Sequence, residues 1–268
     1  MVLRRLTADV REMLKEQGQY RELLIQMVRR DLLLRYKQSV MGFGWAVFMP
    51  LVNTIIFSVV FMRVAPIDVG MPYPLFAFSG LLAWNLFASA LRFSTISLTA
   101  NTNLVTKVYF PREIFPFSSV IVAAVDSAVG AILLGVFMIY YGVHVTPAIL
   151  FLPVVVLVQV AFTAGVALLL AMGNLFYRDV KYLFEVVITG WMFATSVLYP
   201  LSDVGGWAGA LLRLNPMTPI VDAYRAVLLR GELPAAEPFA IITALSLTVL
   251  GAGWLIFHRA EFQFAENI

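Results

Sequence analysis

From Gln38 to Met62 the chain carries no Asp, Glu, Lys or Arg, and stretches nearly as empty of charge recur all the way to Phe257. A run of about 20 apolar residues is what a helix needs to cross the hydrocarbon core of a bilayer. Backbone polar groups at that depth find no water, so helices that satisfy their own hydrogen bonds are the natural solution. Composition excludes a water-soluble alternative: 61% of the residues are hydrophobic and 13% charged, where soluble domains carry about 25% charged residues. The missing charges are those that would coat a surface facing water.

The pattern predicts six spans, at 38–62, 75–100, 114–141, 147–175, 182–199 and 238–257. Residues 1–37 differ. Arg4, Arg5, Arg11, Lys15, Arg21, Arg29, Arg30, Arg35 and Lys37 alternate with acids, while Leu6, Val10, Met13, Leu14, Tyr20, Leu23, Leu24, Met27 and Val28 recur at helical spacing. That is an amphipathic helix, in two pieces around Gly18, lying in the headgroup region. A solvated helix packed on the protein's own inner face is the other reading. No apolar core or cleavage-site pattern follows the basic start, so a signal peptide is not expected.

Basic residues near span ends set orientation. With the N-terminal region inside, Lys107, Arg112, Arg178, Lys181 and Arg259 also fall inside, and only Arg63, Arg213, Arg225 and Arg230 fall outside. Both termini, including the tail 259–268, are expected in the cytoplasm. Segment 200–235 is too long for a simple turn and too apolar for a free loop. Two short re-entrant helices on the outer side account for both features; an ordinary outer loop with interfacial helices is the alternative. The fold expected is an all-α integral membrane protein with an interfacial N-terminal helix, a six-span domain over 38–258 and this re-entrant segment.

Three stretches carry more specific information. The first is Arg30-Asp31-Leu32-Leu33-Leu34-Arg35-Tyr36-Lys37-Gln38-Ser39-Val40-Met41-Gly42, running into Trp45 and Pro50. The second is Asn103-Leu104-Val105-Thr106-Lys107-Val108-Tyr109-Phe110-Pro111-Arg112-Glu113-Ile114. The third is Asn174-Leu175-Phe176-Tyr177-Arg178-Asp179-Val180, followed by Tyr199-Pro200 and Asn215-Pro216-Met217-Thr218-Pro219. In order and spacing, from about residue 20 onward, they resemble the type 2 ABC-exporter permeases that export O-antigen polysaccharide or teichoic acid. The resemblance implies a homodimer in the bacterial inner (cytoplasmic) membrane, moving a lipid-linked glycan and served by two copies of a separate ATPase. ATP and Mg would belong to that partner. The chain has no G-x-x-x-x-G-K-[ST] phosphate loop of its own, so it is expected to be a transport subunit and not an enzyme. A type 2 permease for a drug, haem or small lipid is the alternative reading.

Segment 101–113 joins two spans on the inner side. Its Tyr109 and Phe110 offer apolar knobs beside Pro111, with Lys107, Arg112 and Glu113 at the rim, which suits docking to a partner. Lys107, Val108, Tyr109, Phe110, Pro111, Arg112 and Glu113 are therefore the expected ATPase contact, with Arg178 and Asp179 as a second one implied by the resemblance. Membrane-surface anchoring is the other use for such aromatics.

A sugar chain slides over aromatic faces. Trp45, Phe48, Trp84, Phe87, Trp191 and Tyr199 are the candidates for lining its path, with Phe184, Ile188, Trp191, Thr195 and Tyr199 sharing one helical face. Arg92 and Asp126 are ionisable groups well inside adjacent spans and are expected to pair. Glu185 lies near the inner end of its span. No metal site is expected: there is no cysteine, and His144 and His258 are far apart. Membrane lipids, the glycan, the ATPase and a second copy are the expected partners, and nucleic acid is not.

Overall fold

The computed structural model describes residues 13, 15–37, 39–42, 44–200 and 204–264. Most of the expected first piece of the amphipathic helix, the start of the first span, residues 201–203 and the last residues of the tail lie outside that range. Among the described residues the structure is helical throughout, with no strand.

Five helical segments are long and apolar enough to cross a membrane: Gly44–Val64, Tyr73–Ser97, Ile114–Tyr140, Pro147–Phe176 and Ala236–Gln263. They correspond to five of the six predicted spans. The helices are α1 (Arg21–Tyr36), α2 (Gly44–Val59, extended by a π turn to Val64), α3 (Tyr73–Ser97), the short α4 (Thr102–Lys107) and α5 (Ile114–Tyr140). There follow α6 (Leu152–Phe176), α7 (Val180–Phe193), α8 (Gly206–Arg213), α9 (Met217–Arg225, extended by a π turn to Arg230) and α10 (Ala236–Ala260).

Helix α3 is the hub. It packs against α2, α5, α6, α7 and α9 and is buried along nearly its whole length, including Phe78, Phe87 and Leu91. In lipid there is little hydrophobic drive between helices, so close approach depends on small residues. The α6–α10 contact shows this. A Cβ at Gly165 would lie 2.6 Å from the backbone of Val249 and Leu250, and one at Gly253 would lie 2.7 Å from the Gly165 carbonyl oxygen. Helix α5 buries Ile114, Phe115 and Val122 but leaves Ile132, Val136 and Ile139 exposed. Its outer half keeps a free apolar side.

Helix α1 packs one side against α5. Its Met27 is buried, and Tyr20, Leu23 and Leu24 close over an inner cluster of Phe110, Phe115, Leu175 and Phe257. This is the apolar stripe read in the sequence, and it is met by the protein itself.

The stretch expected as a fifth span, 182–199, is different. Helix α7 has 14 residues, about 21 Å at 1.5 Å per residue, against a hydrocarbon core of about 30 Å. Its end has an identifiable cause. The carbonyl of Ala194 accepts from Asn215 Nδ2, those of Ser196 and Val197 accept from Arg225, and that of Leu198 accepts from the Tyr73 hydroxyl. Carbonyls capped by side chains from elsewhere need no further turn of helix. In the segment that follows, two short helices form, as expected. The second, α9, buries Met217, Ile220, Val221 and Tyr224 in the main core beside α3, α6 and α10.

Candidate functional site

The two inner connections meet. Asn174, at the end of α6, donates through Nδ2 to Thr99 Oγ1 at 3.4 Å, and its Oδ1 accepts the Lys181 backbone N–H at 3.2 Å. The α3–α5 and α6–α7 turns therefore stand at one level. Between them they expose Tyr109 (80%), Tyr177 (73%) and Tyr182 (65%), with Val108, Lys107, Arg178 and Asp179 also exposed. This is an aromatic surface with charge around it.

The rest of the expected knob points inward. Phe110 is 4% exposed and packs on Phe115, ring centres 5.5 Å apart; Pro111 is buried beside it. Arg112 holds Glu261 Oε1 through its backbone N–H at 3.0 Å and Nη1 at 3.1 Å, and gives Nε and Nη2 to the Val105 carbonyl. Glu113 is fully buried and accepts from Trp254 Nε1 at 3.1 Å. Arg112 and Glu113 thus stitch the connection to the end of α10 and are not a rim. The extended backbone at Val108 (φ −124°, ψ 132°) alternates side chains outward and inward, which separates Tyr109 from Phe110.

The aromatic candidates divide in the same way. Trp84 and Phe87 are 3% and 0% exposed. Phe87 stacks on Phe162 at 5.8 Å and meets Trp191 edge-on at 5.2 Å. These rings fill the interior of the subunit because they sit on its hub helix, so within the described fold they line no open path. Trp191 is half-buried, donating Nε1 to Asn215 Oδ1 at 2.8 Å. Tyr199 donates its hydroxyl to the Phe193 carbonyl. The shared face of α7 likewise turns inward, since Phe184, Ile188 and Thr195 are buried. Trp45 and Phe48 are the exposed members, 41% each and edge-to-face at 5.7 Å.

Arg92 and Asp126 do not pair. Arg92 Nε donates to both carboxylate oxygens of Glu185, at 3.1 and 3.0 Å. Asp126 accepts instead from Arg35 and the Tyr36 hydroxyl, and the Arg35 guanidinium lies 3.6 Å over the Phe93 ring. Burial, reinforced by the Asp126 carboxylate, pushes the Tyr36 phenol above its ordinary value, so it stays a donor. The end of α1 delivers two partners to Asp126, while Arg92 is left facing α7. The Arg92–Glu185 pair is about half exposed, 47% and 52%, although both residues lie on helices of the apolar bundle. An exposed ion pair there calls for a wet or polar neighbour rather than lipid.

One residue went unassigned in the sequence. Arg225, taken only as an outer basic residue, is 2% exposed. It donates to the Ser196 carbonyl at 2.5 Å, the Val197 carbonyl at 2.7 Å and the Phe76 carbonyl at 3.3 Å, and Asp222 stands 3.7 Å away. Gly80 makes the room, because a Cβ there would lie 2.6 Å from Arg225 Nη2. The signal was present: Met217, Val221 and Arg225 repeat at four-residue spacing, so the arginine shares the apolar face.

The profile of the family described as ABC-2 type transporter matches residues 22–229. The chain is similar to the O-antigen export system permease protein RfbA of Myxococcus xanthus, 34% identical over 258 residues, which covers 96% of this chain and 99% of that protein. It is 30% identical over 250 residues to the RfbA permease of Klebsiella pneumoniae, covering 91% and 94%. The polysialic acid transport protein KpsM of Escherichia coli is 18% identical over 241 residues, covering 87% and 91%.

Proposed function

Because the chain belongs to the ABC-2 type transporter family, we propose that it is the permease subunit that carries a lipid-linked polysaccharide of the O-antigen type across the cytoplasmic membrane. The observation that carries this reading is end-to-end similarity to an O-antigen export permease, 34% identity over 96% of the chain. Similarity confined to a few motifs would speak only for the family.

ATP is hydrolysed by a separate subunit, since the sequence has no phosphate loop. Its dock is the inner surface of Lys107, Val108 and Tyr109 with Tyr177, Arg178, Asp179 and Tyr182, where exposed aromatic rings stand beside charge. Arg112 and Glu113 act behind it, transmitting a push on Tyr109 to the base of α10. Two copies of the permease form a homodimer and engage two ATPases. The support is the apolar surface left uncovered on α2 and α7, including Ile55, Ile56, Val186 and Val187, together with the half-exposed Arg92–Glu185 pair. The route runs along the face bearing that pair, with Trp45 and Phe48 as its exposed aromatic contacts and Trp191 and Tyr199 behind them.

Six crossings follow if α7 completes its passage through 194–200, and α8 and α9 re-enter the outer leaflet, held there by Asn215 and Arg225. Non-helical backbone at depth is tolerated where protein groups satisfy it, as they do at 194–198. The bias of basic residues supports cytoplasmic termini.

Reconstitution tests the reading. In proteoliposomes with its partner ATPase, the permease is expected to raise ATP turnover when lipid-linked glycan is supplied. A complex indifferent to glycan but stimulated by small amphiphiles would overturn it.

A further inference from the structure

Glu16, Glu113 and His258 each bring a ligand atom to within 4.8 Å of the others. They come from three distant parts of the chain: the helical turn at 15–19, the residue capping α5, and the last turn of α10. Glu113 is fully buried. Trp254 occupies its Oε1, and its Oε2 has no hydrogen-bond partner among the described residues. His258 Nδ1 is likewise without one, with Glu261 Oε2 the nearest anionic atom at 3.9 Å.

A buried carboxylate oxygen without a partner is costly, and a second carboxylate nearby adds to the cost. Arg112 does not relieve it, since its donors go to Glu261 Oε1 and the Val105 carbonyl. A shared proton does not either, because that needs heavy atoms about 3 Å apart or less, and Glu113 Oε2 and His258 Nδ1 make no such bond. The gap has the scale of a metal ion, whose bonds to nitrogen and oxygen are about 2.0–2.2 Å.

We propose that Glu16, Glu113 and His258 bind a divalent transition-metal cation of the zinc type, clamping the N-terminal segment to the start of α5 and the end of α10. One imidazole and two carboxylates suit zinc better than magnesium, which keeps to oxygen ligands and water. Trp254 orients Glu113 from behind, the usual arrangement for a metal-binding side chain. Glu261 Oε2 or water takes the fourth position. The sequence expectation of no metal weighed only the distance between the two histidines; the carboxylates that complete the set become neighbours of His258 only in the fold. The proposal does not depend on what the permease transports.

The test uses the full-length permease in detergent, free of any histidine tag and stripped with chelator. Zinc is titrated by calorimetry and cobalt by its visible absorption. One zinc per subunit is expected, with binding weakened about tenfold or more in Glu16→Gln and in His258→Ala, as loss even of an outer-shell partner can cost that much. His144→Ala should titrate as wild type. Glu113→Gln is included only if it elutes as wild type on gel filtration; Glu16 and His258 are not fully buried and carry the test without it. No saturable zinc uptake by the wild type, or wild-type binding in both Glu16→Gln and His258→Ala, overturns the proposal.

Discussion

The guanidinium of Arg225 lies 3.5 Å over the centre of the Phe76 ring while donating to the carbonyls that follow the broken end of α7. One side chain thereby ties α9 to α3 and to the 194–198 turn. Truncating it to Ala leaves those carbonyls unsatisfied and Asp222 without its neighbour, a loss of about 3–5 kcal/mol by comparison with other broken buried pairs. Lys cannot reproduce a planar fork that reaches several acceptors, so Arg225→Lys should also lose thermal stability in detergent. Arg230→Ala, at an exposed site, should change stability by about 0.5 kcal/mol or less.

Asp126 should couple to Arg35 and not to Arg92. A double-mutant cycle on unfolding is expected to give an interaction of about 0.5–3 kcal/mol for Arg35→Ala with Asp126→Ala, and additivity within about 0.5 kcal/mol for Arg92→Ala with Asp126→Ala. The reverse pattern would restore the pairing that the sequence suggested.

Tyr109 and Phe110 should behave as opposites. Tyr109→Ala removes an exposed ring, so the permease should keep its stability but lose co-purification with the ATPase. Phe110→Ala empties a packed site and should cost about 3–5 kcal/mol of stability. If Tyr109→Ala retains its ATPase, the ring is a membrane-surface anchor instead.

Which of these residues were legible in the sequence follows from what periodicity encodes. Charge-free runs locate helices, and five long ones fall where expected. Spacing also found the apolar stripe of α1, since Met27 and its neighbours need only a helical repeat to share a face. It does not say which helix is the hub. Trp84 and Phe87 read as lining residues until α3 is seen enclosed by five neighbours. Nor does it report tertiary reach: α1 brings Arg35 to Asp126 across 91 positions, and no local pattern foretells that. The short α7 was hidden for the same reason, because its end is set by Asn215 and Arg225 from the following segment.

Gly165 should tolerate no side chain. Its missing Cβ is what lets α10 pass at backbone contact, so Gly165→Val should lower the yield of folded permease and its melting temperature. Gly135, with nothing near its Cβ position, should accept Ala without loss of either.

The central claim is tested most directly by deleting the gene in its own host and following one surface glycan. The account predicts that the O-antigen-type polysaccharide disappears from the cell surface while its lipid-linked form accumulates on the cytoplasmic side, and that the wild-type permease restores export but Tyr109→Ala does not. An unchanged surface polysaccharide with no accumulated precursor would contradict it.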